Sequence, residues 1–281
     1  MKAFQRAGVV IKPHAPGVAE VIVKLRGYFT AKGVKPVLEQ AAAEKIGRTD
    51  GLPRERVPAE SDLVVVLGGD GTLLSIAHIA ARLNVPVMGV NLGSLGFLTE
   101  VPLAEMTLAL DAVLSGRTDV ISPRMMLEST YRKNTELTLN DVVLNKAAKA
   151  RMIQYVISVD GREIAKLRAD GLVVATPTGS TAYSLSAGGP ILQPYVPAIL
   201  LTPICPHTLS FRPTVISSDS RIRIELKTPG EEVYLTLDGQ RGGDMDGDDI
   251  VDIRKADCVL QLVTSPQRNY FDLLQEKLRW G

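Results

Sequence analysis

Residues 63–80 read LVVVLGGDGTLLSIAHIA, and the reading of this stretch decides the fold. Leu63 to Leu67 is an apolar run with no polar break, which predicts a strand buried on both faces, as in a parallel sheet. Gly68-Gly69-Asp70-Gly71 then predicts a turn. Beyond it Leu73, Ile76, Ala77, Ala80 and Leu83 recur at helical spacing over Leu73–Leu83. Upstream, Gly8–Ile11 predicts a strand and Gly17–Lys32 a helix. Downstream, Val85–Val90 predicts a strand, and Pro102–Leu114 a helix with proline near its start. Thr49–Glu60, rich in proline, glycine and charge, predicts a loop. Strand and helix in alternation predict a doubly wound, Rossmann-like α/β layer around a parallel sheet.

From about Val120 the texture changes. Candidate strands follow one another at Met125–Tyr131, Leu137–Asn145, Ile153–Val159, Gly171–Ala175, Arg221–Lys227, Val233–Leu237 and Cys258–Val263. Asp160-Gly161 lies between Tyr155–Val159 and Arg162–Ala165 as a two-residue hairpin signal. Arg221–Lys227 (RIRIELK) alternates, so one of its faces is expected to be wet. These patterns predict an α/β N-terminal domain over 1–118 and a β-rich C-terminal domain over 119–265. The break lies near Ser115–Ile121. The tail 266–281 carries Phe271, Leu274 and Leu278 at helical spacing and is free to pack on either domain, including back on the first.

Composition narrows the function classes. The chain has 281 residues, 45% of them hydrophobic, enough to bury a sizeable core. Its 32 basic and 31 acidic residues nearly balance and form no basic stripe, so no nucleic-acid groove is expected. Cys205 and Cys258 form no CxxC pair, which argues against a disulfide framework or a zinc knuckle. The apolar run Ala7–Ile11 is too short for a signal-peptide core, and no stretch reaches membrane-spanning length. The expectation is a soluble, cytoplasmic protein.

A strand, a glycine turn and a helix N-terminus together make a phosphate site. Gly68, Gly69, Gly71 and Thr72 leave the backbone approachable, glycine tolerates positive φ, and the helix end supplies N–H groups and a positive dipole. Asp70 would repel a phosphate there. A carboxylate in that place is suited instead to accepting a hydroxyl proton or to positioning Mg²⁺. The plain alternative is a tight turn with a solvated capping aspartate. Neither GxxxxGK[ST] nor GxGxxG occurs.

Three further segments invite a ligand. Asn91–Leu98 (NLGSLGFL) has two glycines that predict close backbone approach to a ligand, and Phe97 either stacks on a flat ring or joins the core. Leu139–Val143 (LNDVV) sets Asn140, a donor and acceptor suited to an adenine edge or a ribose, beside Asp141, an acceptor for ribose hydroxyls. On an unbroken strand the two point to opposite faces, and a capped strand end is the plain alternative. Ala169–Pro190 (ADGLVVATPTGSTAYSLSAGGP) packs Thr178, Ser180, Thr181, Ser184 and Ser186 around Gly179. So many hydroxyls point to ligand donors, with helix capping as the alternative.

Asp238-Gly239-Gln240 reads as a turn. Asp244, Asp246, Asp248 and Asp249 fail EF-hand spacing, with Gly247 and Lys255 in the wrong places. His14, His78 and His207 share no ligand spacing, so no metal ligands are assigned. No GxSxG occurs.

In this order GGDGT, NLGSLGFL, LNDVV, ADGLVVATPTGSTAYSLSAGGP and LTPICPHTLSFRP resemble the NAD kinase family, from Asp62 to about Gln240. GGDGT alone is shared with lipid kinases and phosphofructokinases. The resemblance implies transfer of a terminal phosphoryl group from ATP, or polyphosphate, to the 2′-hydroxyl of the adenosine ribose of NAD, giving NADP. It also implies a divalent cation (Mg²⁺), an active site between the domains, and a homo-oligomer, dimer or tetramer. Asp70 resembles the catalytic aspartate and Gly71 its backbone neighbour. Asn140 and Asp141 match the substrate-holding pair, whose second member is often Glu. Asp170 matches an acid that contacts the nicotinamide end from a neighbouring subunit. Thr181, Ala182, Tyr183, Ser184, Leu185 and Ser186 match the loop holding the adenosine half, and Phe97 matches a residue lining the adenine pocket. Arg151, Arg168 and Gln240 align with further contacts. His207 and Arg212 receive no role. Two rival readings remain at this level: a lipid or sugar kinase sharing only GGDGT, and a non-catalytic NAD(H) sensor.

Overall fold

The computed structural model describes residues 4–147, 152–208, 210–228 and 232–280. The chain forms two compact units, one of Met1–Pro123 with Val259–Gly281, the other of Arg124–Cys258.

In the first unit the chain runs β1 (Arg6–Ile11), α1 (Val18–Ala31), β2 (Lys35–Leu38), α2 (Gln40–Lys45), β3 (Leu63–Gly68), α3 (Asp70–Arg82), β4 (Val87–Asn91), β5 (Val101–Pro102) and α4 (Met106–Leu114). The strands lie β2-β1-β3-β4, all parallel, with β5 parallel to the end of β4. Every residue of β3 is buried. Leu63, Val65 and Leu67 share a core with α1 and α4, while Val64 and Val66 on the other face are equally buried and α3 packs on β3 and β4. That two-sided burial explains the unbroken apolar run.

Helix α3 begins at Asp70, three residues before its apolar stripe, because a first turn of Asp, Gly and Thr carries no apolar period. The expected helix at Pro102 starts instead as a 3₁₀ turn, Leu103–Glu105, since Pro102 belongs to β5. Strand β2 (KPVL) is too short, and too proline-marked, to register in the sequence.

β6 (Ile121–Tyr131) leads into the second unit. There follow β7 (Asn134–Thr138), β8 (Asp141–Lys146), β9 (Ile153–Val159), β10 (Arg162–Ala169), β11 (Gly171–Ala175), α5 (Tyr183–Ser186), β12 (Ala198–Ile204), β13 (Thr214–Ser217), β14 (Ile222–Leu226), β15 (Val233–Leu237), β16 (Arg241–Met245) and β17 (Ile250–Val263). One antiparallel sheet runs β13-β12-β11-β8-β15-β16. Strands β10-β9-β14 and the start of β17 form another antiparallel array. Val142, Leu144, Leu172, Val174 and Leu235 of the first meet Tyr155, Ile157, Ile222, Ile224 and Val251 of the second in one core. Asp160 and Gly161 both have positive φ, as the β9–β10 hairpin turn requires.

The run 137–145 is two strands. The Asp238 carboxylate accepts the N–H groups of Leu139 (3.0 Å) and Asn140 (2.7 Å), which turns the chain between β7 and β8. Strand β12 carries no clear strand signal because Pro203 interrupts it, and β16 (RGGDM) carries none because it is polar and glycine-rich. The last residues of β17, Leu262 and Val263, pair parallel with β4, and α6 (Tyr270–Leu278) completes the first unit under a capping box at Asn269.

The segment 49–60 contains two 3₁₀ turns, Arg54–Arg56 and Pro58–Glu60, and carries a clamp. Ile11 N–H donates to Glu39 Oε1 (2.6 Å), and Arg54 donates to Ile11 O (2.9 Å), to Glu39 Oε2 (2.8 Å) and to Ser75 Oγ (3.3 Å). The Glu39 side chain is 2% exposed. Arg54→Met strands that carboxylate, so stability is expected to fall by about 3 kcal/mol in thermal or urea unfolding. Adding Glu39→Gln should restore part of the loss, because the uncompensated charge is then gone.

Candidate functional site

In the first unit the site is built on Asp70. Its carboxylate binds the loop after β4: Oδ1 accepts from Leu98 N (3.1 Å), Thr99 N (2.9 Å) and Thr99 Oγ1 (2.9 Å), and Oδ2 accepts from Phe97 N (2.9 Å). A Cβ at Gly96 would overlap Asp70 Oδ1, so this glycine is required by the carboxylate and not by an external ligand. Asn91 closes the other side of the loop, accepting from Gly93 N and donating to Ser94 O and Thr99 Oγ1. The two motifs, separate in the sequence, are thus one construction. Oδ1 is saturated, whereas among the described residues only Phe97 N reaches Oδ2, which keeps an open lone pair.

The glycines of the turn supply space and not left-handed backbone. Gly69 is extended (φ −113°), and neither it nor Gly68 has positive φ. A Cβ on Gly68 would stand 2.8 Å from Thr72 Oγ1 and 3.1 Å from Lys12 Cβ. Phe97 is half-buried, with the Lys277 ammonium of α6 5.9 Å from its ring centroid.

In the second unit a cavity of about 340 Å³ is lined by Asn140, Asp141, Asn145, Ala182, Tyr183 and Asp238, among others. The break between β7 and β8 lets adjacent Asn140 and Asp141 both reach it, which an unbroken strand forbids. Asp141 is 4% exposed, and among the described residues no donor reaches its carboxyl. Burial, with the neighbouring Asp238 charge second, pushes its pKa up to about 7. Asp238 is also pushed up by burial, against the N–H groups it accepts and Arg241, whose Nη2 lies 3.8 Å away. Sequence reasoning misses Asn145 and Asp238 as site residues. A turn aspartate that organises a strand break has the same sequence signature as one that caps a loop.

The hydroxyl-rich turn clasps this cavity by its backbone. A Cβ at Gly179 would overlap Asn140 O, Thr176 N–H donates to that same oxygen (2.9 Å), and Thr176 Oγ1 donates to Leu139 O (2.6 Å). The hydroxyls themselves serve the fold. Ser180 bonds Pro177 O and Leu192, Ser184 bonds Thr202 Oγ1 (2.9 Å), and Thr181 donates to Thr178 O (3.3 Å). Thr178 Oγ1 is buried without a partner among the described residues.

Of the described residues expected to contact a ligand in this unit, Arg168, Asp170, Thr181, Ser184, Leu185, Ser186 and Gln240 do not line the cavity. Asp170 stands 3.7 Å from Lys146, Arg168 and Gln240 are exposed, and Arg151 lies outside the described residues. Asp249 is bound to Tyr131, Arg132 and Asp246 N in a hairpin, and among the described residues no three acidic, His or Cys side chains gather to hold a metal ion. No helix of the described chain is long and apolar enough to cross a membrane.

Comparison with known proteins points in one direction. Residues 24–118 match the ATP-NAD kinase N-terminal domain family and residues 139–265 the ATP-NAD kinase C-terminal domain family. The similarity therefore runs far beyond GGDGT. An NAD kinase from Geotalea daltonii is 46% identical, with 100% of this chain and 99% of that protein aligned. One from Syntrophotalea carbinolica is 44% identical over 99% of each. Among solved structures, yeast NADH kinase complexed with NADH superposes with a TM-score of 0.91 at 31% identity, covering 100% of this chain and 89% of that one. An Archaeoglobus fulgidus NAD kinase in complex with ATP gives 0.81 at 27% identity, covering 99% and 100%.

The Asp141 carboxyl makes stability depend on pH. Its folded pKa of about 7 exceeds the ordinary 3.8, so the folded chain holds the proton more tightly than the unfolded chain. That contribution is complete at low pH and is lost as pH rises through 7. Asp141→Asn should therefore stabilise the fold, by on the order of 3 kcal/mol at pH 8 and visibly less at pH 5, read in thermal unfolding as a higher midpoint. An equal change at both pH values contradicts the assignment.

Proposed function

The chain belongs to the NAD kinase family, and from that premise we propose how its residues divide the reaction. The enzyme is a phosphotransferase that moves the terminal phosphoryl group of ATP to the 2′-hydroxyl of the adenosine ribose of NAD. In our reading Asp70 Oδ2 accepts the hydroxyl proton while the ribose oxygen forms its bond to the terminal phosphorus. The bond to the departing ADP breaks, and the product is NADP. The supporting observation is the state of the carboxylate: four donors fix it in place, yet Oδ2 retains a free acceptor position. Most of the acceleration then comes from alignment and charge neutralisation.

Asn140 and Asp141 hold the ribose and adenine end, with Ala182 and Tyr183 as neighbouring walls. A desolvated carboxylate accepting ribose hydroxyls makes strong, directional bonds. Magnesium prefers a few carboxylate oxygens plus phosphates and water, a demand that Asp70 Oδ2 and the donor's own oxygens can meet. When bound it would neutralise charge on the phosphates. Polyphosphate serves as an alternative donor in the same arrangement. A cytoplasmic dimer or tetramer, to which Asp170 offers its contact, completes the reading, and sedimentation velocity reads the assembly.

The direct test is incubation with ATP, Mg²⁺ and NAD, with NADP detected by an NADP-specific dehydrogenase. Asp70→Asn should lower kcat by about 10²–10⁴-fold while KM for NAD moves less than about threefold. Turnover near wild type removes the base assignment, and an altered Mg²⁺ dependence transfers the role to metal positioning. Affinity for NAD should weaken below pH 7, where Asp141 gains its proton, and Asp141→Asn should flatten that profile.

A further inference from the structure

The donor's phosphate contacts carry no lysine motif in the sequence, but the topology supplies one. In the order β2-β1-β3-β4 the chain leaves β1 for β2 on one side and leaves β3 for β4 on the other. The loops after β1 and β3 therefore part, and in an open parallel sheet the crevice beyond the carboxyl ends at such a switch point is where ligands bind. One lip of this crevice is the Gly68–Gly71 turn. The other begins with Lys12.

Register places the two lips side by side. Ile11 pairs with Leu67, and Lys12 N–H donates to Leu67 O (2.8 Å). Lys12 Cβ and Thr72 Oγ1 both lie within about 3.1 Å of the point where a Gly68 Cβ would stand. An ammonium stem, a hydroxyl and a backbone without side chains thus converge on one spot, the set of groups that phosphate-binding loops use. Lys12 is exposed, and among the described residues no carboxylate pairs with it. Its attachment is nevertheless rigid. Both backbone groups of Ile11 are held by Glu39 and Arg54, and Arg54 reaches Ser75, whose hydroxyl donates to Thr72 O (2.7 Å). The clamp ties the strand that carries Lys12 to the first turn of α3.

We propose that Lys12 binds the phosphate chain of the donor across this crevice, opposite the glycine turn, and stabilises the charge that accumulates on the leaving phosphate. The inference rests on reading the Asp70 turn as the site of phosphoryl transfer. Its chemistry is that of a linear polyphosphate, so it serves the triphosphate of ATP and an inorganic chain alike.

The experiment measures donor binding apart from turnover. Isothermal titration of the full chain with ATP–Mg²⁺, and separately with tripolyphosphate, is compared among wild type, Lys12→Met and Lys12→Arg, with NAD titrated as the control. Loss of one charge-assisted contact should weaken both phosphate ligands by about 10–100-fold in Lys12→Met, with partial recovery in Lys12→Arg. NAD affinity and the thermal midpoint should stay at wild-type values, and KM for ATP should rise more than kcat falls. Phosphate-ligand affinities within twofold of wild type in Lys12→Met overturn the proposal, as does an equal loss for NAD. Failure of the underlying reading looks different: Asp70→Asn then retains turnover, whatever Lys12→Met does to ATP affinity.

Discussion

Each unit depends on a carboxylate that stands in for a missing backbone acceptor. Asp70 takes the N–H groups of three consecutive residues, Phe97, Leu98 and Thr99. Asp238 takes those of Leu139 and Asn140, with a longer contact at 3.4 Å to Asp141. A run of N–H groups that all point inward has no partner in helix or sheet, and leaving it unpaired in a buried place costs several kcal/mol. A carboxylate satisfies several such donors at once, because it offers about four acceptor directions. The constraint also works in reverse, since each loop is bent around its anion. Glycine at position 96 and glycine at position 179 follow from how closely the chain must approach these folded-back segments.

This construction separates what the sequence discloses from what it hides. The Leu63–Asp70 stretch is legible because two-sided burial demands an uninterrupted apolar run and the turn that follows has few chemical options. The hairpin at Asp160-Gly161 is legible for the same reason: only certain residues tolerate its two positive φ angles. The Thr178–Ser186 turn is legible as unusual but ambiguous in purpose. Ser180 and Thr181 satisfy backbone groups and Ser184 a second hydroxyl, and that choice rests on neighbours such as Leu192 and Thr202, distant in sequence. Asp238 is illegible, because its role depends on backbone donors almost a hundred positions away. Lys12 is illegible for a related reason: its importance comes from strand order, which no local pattern encodes.

The Asp141 carboxyl of the second unit is a cost to the fold. Among the described residues Asp141 has no donor of its own, and it sits close enough to Asp238 that burial and repulsion both favour its proton. A group kept in such surroundings at the expense of stability is better explained by what it binds than by what it supports. Arg54 and Glu39 are the contrasting case, a buried pair whose bonds to Ile11 and Ser75 are its evident purpose.

Strand β17 has a temporal consequence. Leu262 and Val263 are the residues that cover the outer edge of β4 beside Val87 and Met88, and Ser265 and Thr264 then bond Glu100 and Val120. During synthesis the ribosome releases β1–β4 long before these residues exist. Until then β4, paired with β5 only at Val90 and Asn91, presents bare N–H and C=O groups beside Val87 and Met88, the kind of edge that recruits other chains. A chain cut short of Leu262 would keep that stretch of edge open.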